Sequence, residues 1–135
     1  MTREEKDLLL KDLCARLPYG VKVRIYNHFY DDFFDEFITI ENISAILERF
    51  DISDIKPYLF PLSSMTEEQE EELKNIYYSF NGMFQYTERI FDKIPFGKMK
   101  YFPFQIEEFF NKNHIDYRGF IQKGLAIDAT GLNIY

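Results

Sequence analysis

Residues 54–69 read DIKPYLFPLSSMTEEQ, and the hydrophobic period changes across them. Before this stretch the chain reads largely as strands. After it, apolar side chains recur at helical spacing, which indicates an α+β chain. Pro57 and Pro61 stiffen the crossing. Ser53 is placed to cap a single helical turn over 54–59, with Pro57 near its start, and Pro61 stops that turn from propagating. Thr66, Glu67, Glu68 and Gln69 have the spacing of a capping box. Glu67, Glu68, Glu70, Glu71 and Glu72 crowd the first turns of the helix that follows, where the helix dipole favours negative charge. Leu73, Ile76, Tyr77 and Phe80 form its apolar stripe, and Asn81-Gly82 closes it.

Working back toward the N-terminus, the segment from Val21 to Tyr26 alternates strictly, so Val21, Val23 and Ile25 should face the core of a half-buried strand. Residues 27–35 read as a loop, and residues 36–41 as a second strand rich in β-branched and aromatic residues. Residues 43–52 carry two periods. Ile43, Ile46, Leu47 and Phe50 have helical spacing, whereas Ile46, Glu48, Phe50 and Ile52 share one face of a strand. A two-stranded hairpin is marginal by itself, so a third strand near 45–52 is expected to support it. Ahead of the sheet, Thr2 and Glu5 have capping-box spacing. Leu9, Leu10, Leu13, Cys14 and Leu17 form one apolar stripe, and residues 18–20, Pro-Tyr-Gly, end that helix.

Toward the C-terminus, residues 83–104 hold too many apolar side chains for a disordered loop, while Pro95, Gly97 and Pro103 prevent one long helix. A short helix near 84–93 and a loop packed by its own aromatics are expected there. Pro103 suits the first turn of a helix running to about Asn113, with Ile106, Phe109 and Phe110 inward. Asp116 is then placed to cap a last helix over 117–123 that Gly124 ends, and residues 126–135 read as a tail that docks in part. The expected fold is one α+β domain over residues 1–135. A small antiparallel sheet from about 21 to 52 packs with an N-terminal helix and three or four C-terminal helices.

A chain of 135 residues can bury a core without metal or disulfide staples. It holds 15 Phe and 10 Tyr and no Trp, rings that fill a core in few residues or line an interface. Its net charge of −7 argues against attraction to nucleic-acid backbones. The charge is uneven: residues 28–54 hold eight acids against Arg49 alone, and residues 88–124 hold seven bases against five acids. The single cysteine, Cys14, excludes an intrachain disulfide and fits a reducing cytoplasm; its place in the apolar stripe suggests a buried structural thiol. The Leu8-Leu9-Leu10 run is too short for a signal peptide or a membrane span.

Three segments carry a resemblance: KDLCARLPYGV at 11–21, DIKPYLFPLSSMTEEQ at 54–69 and HIDYRGFIQKGLA at 114–126. Together, in this order, they resemble a family of small uncharacterised proteins of bacteriophages and mobile elements of anaerobic gut bacteria. The resemblance implies a cytoplasmic protein of a mobile element and favours a third strand before the 54–69 joint. It implies no particular activity. Phe60 stands where the family pattern has Arg between the two prolines, so any role of that Arg is missing here.

Most familiar catalytic patterns are missing. There is no G-x-S-x-G, Walker-type or dinucleotide fingerprint, and His28 and His114 lie in no zinc-type spacing. No catalytic residue, metal or cofactor is therefore expected. His28, Asp31, Asp32, Asp35 and Glu36 offer hard-cation ligands but match no calcium loop, and a solvated hairpin loop accounts for them. His114, Asp116 and Arg118 form a polar cluster with two readings. One is an acid–base or phosphate-contacting site. The other, favoured here, is a turn in which Asp116 caps and His114 and Arg118 bond nearby carbonyls.

Two functions stay open. The first is a non-enzymatic protein-interaction or regulatory module using Phe29, Tyr30, Asp31, Asp32, Phe33 and Phe34, with a protein partner and no membrane. The second is a small-ligand or nucleotide binder, possibly an enzyme, using the 96–102 loop, including Lys98, Lys100 and Tyr101, with His114 and Arg118. A flat exposed aromatic patch at 29–34 favours the first. A deep pocket joining 96–102 to His114 and Arg118 favours the second.

Overall fold

The computed structural model describes residues 1–80 and 104–135. The fold is α+β, with a five-stranded mixed sheet and four helices among those residues. Strands β1 (Val21–Asn27) and β2 (Asp32–Ile38) form an antiparallel hairpin in which Val21 faces Ile38 and Asn27 faces Asp32. The turn between them is shorter than the expected loop. The side chain of Asn27 accepts the N–H groups of Phe29 and Tyr30 at 2.9 and 3.4 Å, and Asp31 takes a left-handed φ of 51°. Asn and Asp tolerate such local geometry, so the turn closes early and β2 starts at Asp32 rather than at 36.

The third strand is the 54–69 joint itself. Strand β3 (Ile55–Pro61) pairs antiparallel with β1, Val23 opposite Pro57 and Ile25 opposite Ile55. The expected helical turn over 54–59 is therefore wrong. A short 3-10 turn at Ile52–Asp54, capped by Asp51 rather than Ser53, precedes the strand. The prolines are tolerated because neighbouring residues of a strand direct their backbone groups to opposite sides. Tyr58 and Phe60 bond on the side that β1 occupies, through Tyr135 and His114. Pro57 and Pro61 direct their missing donors to the other side. There, Leu59 accepts from Ala129 at 2.9 Å. Two short strands extend the sheet in parallel: β4 (Ile115–Asp116) beside Phe60 and Pro61, and β5 (Ile127–Asp128) beside Tyr58 and Leu59. The sheet is thus mixed, not antiparallel.

With β3 supplying the third strand, residues 43–52 are free to follow their helical period. The expected strand at 45–52 is replaced by helix α2 (Ile43–Arg49), whose Ile43, Ile46 and Leu47 pack with Phe50 onto the core. Helix α1 (Arg3–Arg16) starts at the expected Thr2–Glu5 capping box, with reciprocal bonds of 3.1 and 2.9 Å. Its buried face is rotated from the leucine stripe: Leu9, Asp12, Leu13 and Arg16 point inward, while Leu10 and Cys14 are exposed. The expected buried thiol is thus a surface thiol. The rotation follows from Asp12 and Arg16, which pair inside the protein and need the inward positions.

Helix α3 (Glu67–Phe80) begins at the Thr66–Gln69 capping box, with bonds of 3.1 and 3.0 Å. Helix α4 (Phe104–Lys112) buries Ile106, Phe109 and Phe110 as its spacing requires. The buried residues form two clusters. One joins α1, the sheet, Phe120 and Leu125; the other joins Met65, Leu73, α4, Ile115 and Tyr117. The helix expected at 84–93 and the 96–102 loop lie outside the described residues.

Residues 117–123 form turns rather than the expected last helix. Gly119 has φ +76°, which breaks a right-handed helix near its start. The Asp116 carboxylate takes over, accepting the N–H groups of Phe120 and Ile121, both at 2.9 Å. Asp116 is buried. Its replacement by alanine leaves two N–H donors without their acceptor and is expected to cost about 1–3 kcal/mol, read from urea melts.

Candidate functional site

The hairpin carries three strongly exposed rings: Phe29 is 86%, Tyr30 73% and Phe33, at the start of β2, 59% exposed. Phe29 and Tyr30 meet edge to face, with centroids 4.9 Å apart. Their backbone is held by the Asn27 side chain, so the rings project from a built turn. Asp31 accepts from the Tyr26 hydroxyl, and Asp32 accepts the N–H of Phe33 at 2.8 Å. Phe34 does not belong to this surface. It is half-buried on the opposite face of β2 and packs against Phe50, with centroids 5.4 Å apart. The period-two geometry of β2 separates the two neighbouring phenylalanines, which reading 27–35 as a loop concealed.

The sheet face that bears Phe33 also carries residues the sequence reading passed over. Lys22 lies 5.4 Å from the Phe37 ring, and Arg24 lies 5.8 Å from the Phe33 ring and 5.6 Å from the Tyr58 ring. Asp35 accepts from the Tyr58 hydroxyl at 2.9 Å and sits 3.7 Å from Arg24. The available signal was the charged alternation of the Val21–Tyr26 segment, which sets Lys22 and Arg24 on one face. On the opposite face, a groove of about 290 Å³ runs between β2 and α2, lined by Phe34, Glu36, Ala45, Ile46, Arg49 and Phe50.

His114, Asp116 and Arg118 do not converge on one open site. Arg118 Nε donates to Asp12 Oδ1 at 3.0 Å, and its Nη2 donates to the Tyr117 hydroxyl at 3.0 Å. Asp12 also pairs with Arg16 Nε at 2.8 Å, and Arg16 Nη2 donates to the Ile115 carbonyl at 2.8 Å. Arg16 and Asp12 are fully buried, so this cluster ties α1 to the second core. Arg16, not Arg118, serves the nearby carbonyls. His114 has a left-handed φ of 58° and stacks on Tyr135, with centroids 3.6 Å apart. The Tyr135 hydroxyl accepts the N–H of Lys22 at 2.9 Å and donates to the Tyr58 carbonyl at 2.8 Å, where the β1–β3 ladder would otherwise continue. Burial of this hydroxyl pushes it up to about 12. The tail therefore docks through its last ring. Lys98, Lys100 and Tyr101 lie outside the described residues.

Burial, and then the Arg16 charge, hold the His114 imidazole down at about 4 against an ordinary 6.5. The folded state keeps it neutral, while the unfolded chain protonates it at the ordinary value. Its contribution to stability is complete above about pH 6.5, falls as pH drops toward about 4, and changes no further below. Asn tolerates the same left-handed backbone, so His114→Asn should flatten this part of the stability–pH curve. Chemical melts of both proteins across the window, compared by difference, check it.

His28 pairs with Asp54 at 2.9 Å. Among the described residues, no group of three or more His, Cys, Asp or Glu is placed to hold a metal ion, and no helix is long and apolar enough to cross a membrane. Compared with protein-family models, curated proteins and solved structures, the chain shows no match.

Proposed function

We propose that this chain is a non-enzymatic protein-interaction module of a mobile element and that the β1–β2 hairpin carries its contact surface. The exposure of Phe29 and Tyr30 on a turn fixed by Asn27, with Phe33 exposed beside them on β2, supports this reading above all. Exposed rings supply large contact area at small conformational cost. Asp31, Asp32 and Asp35 are exposed around them, so the surface suits a basic partner and speeds encounter with it. The mobile-element setting rests on the three-segment resemblance.

Serine at positions 29, 30 and 33 together should leave the thermal midpoint close to wild type, because none of these rings enters a core cluster. It should also cost at least about 2 kcal/mol in binding to a partner captured from host lysate. Added salt should slow association more than it changes dissociation. A triple variant that folds and binds its partner as tightly as wild type refutes the hairpin surface.

A further inference from the structure

Strand β2 is the edge of the sheet: it pairs with β1 on one side, and among the described residues no strand pairs with the other. Half of its backbone N–H and C=O groups therefore face outward. Asp32 accepts the Phe33 N–H at 2.8 Å and Asn42 donates to the Phe37 carbonyl at 2.7 Å, which leaves the edge between them, centred on Asp35, as a template for an added strand. Its two faces are chemically distinct. On one, Phe33, Asp35 and Phe37 alternate ring, acid, ring, all exposed. On the other, Phe34 and Glu36 border the groove against α2, whose wall is apolar at Ile46 and Phe50.

We infer that the partner binds as an extended segment added to the β2 edge, with alternating apolar and Lys or Arg side chains. This inference rests on the interaction reading above and assigns its mode. Successive side chains of an added strand fall on opposite faces. One set enters the groove between β2 and α2, which suits apolar side chains. The other lies beside Phe33, Asp35 and Phe37, which already face Lys22 and Arg24 of this chain. The exposed acids on and beside β2, Asp31, Asp32, Asp35 and Glu36, outnumber those two cations, so the edge suits added Lys or Arg side chains. A second copy of this chain fits less well. Full antiparallel pairing of β2 with itself sets Asp35 opposite Asp35, and like charges directly opposite destabilise a ladder.

The test is fluorescence anisotropy with synthetic peptides on the full chain. The probes are a peptide alternating leucine with lysine, a peptide of the same composition in two blocks, and two alternating peptides N-methylated on amides of opposite parity. The alternating peptide should bind about tenfold or more tightly than the block peptide. N-methylation of one parity should weaken binding about tenfold or more, and that of the other should leave it unchanged, because only one set of amides faces β2. Ala45 is exposed and lines the groove, so Ala45→Trp should fill it and weaken the alternating peptide without lowering the thermal midpoint. Equal binding of the block peptide, equal binding of both N-methylated peptides, or no binding of the alternating peptide overturns the added strand. If any of these occurs while the triple-serine variant still loses its partner, the strand mode fails and the hairpin surface stands. If the triple-serine variant keeps its partner, the hairpin surface itself fails.

Discussion

Alanine at position 12 is expected to remove about 3–5 kcal/mol of stability, the cost of leaving a buried cation without its counter-charge. Asp12 is fully buried and bonds two guanidinium groups, Arg16 at 2.8 Å and Arg118 at 3.0 Å. Arg118 is partly exposed and has a route to water. Arg16 has none, and it also donates to the carbonyls of Phe110 and Ile115. Against a typical total of about 5–15 kcal/mol, the loss is large enough to show as a shifted urea midpoint. Removing both charges together, Asp12→Leu with Arg16→Met, should cost less than Asp12→Ala alone, because an apolar pair carries no desolvation penalty. A double variant no more stable than Asp12→Ala would show that the carbonyl contacts of Arg16, rather than the charge pair, dominate.

Phe120→Ala is expected to cost about 3–5 kcal/mol, as for other fully buried rings. Phe120 lies in a segment of turns, yet its ring is fully buried in the cluster of α1 and the sheet. Its carbonyl accepts the Leu125 N–H at 2.9 Å across the turn, and Gly124 supplies a φ of +74°. Ile121, the next residue, is half-buried, so Ile121→Ala should cost clearly less. Hydrogen exchange at the Leu125 amide reports whether the turn opens with the ring gone. A Phe120→Ala protein as stable as wild type would mean that this turn is only attached to the core, not part of it.

Local patterns survived wherever local physics was sufficient. The capping boxes at Thr2 and Thr66 need only four consecutive residues, and both formed as read. The alternation of Val21, Val23 and Ile25 required only that one face be buried, and all three are. The spacing of Ile106, Phe109 and Phe110 likewise carried over to α4. The exposed tip rings were legible as residues, but their separation from Phe34 was not. That separation depends on where β2 begins, which the Asn27 turn decides.

By its sequence alone this protein is α+β, with helices starting at residues 3 and 67 and a first strand at residue 21, because capping and period two or 3.6 are properties of neighbouring residues. Tertiary structure alone decided which segment became the third strand. Residues 43–52 satisfied both periods, and residues 54–59, expected as a helical turn, became strand only through pairing with β1. It also decided that α1 turns Asp12 and Arg16 inward and Cys14 outward. Burying the Asp12–Arg16 pair also needs partners from elsewhere in the chain, here the Ile115 carbonyl and Arg118, about a hundred residues away. Hydrophobic spacing within one helix carries no information about such partners, so the face of α1 was set by the fold around it.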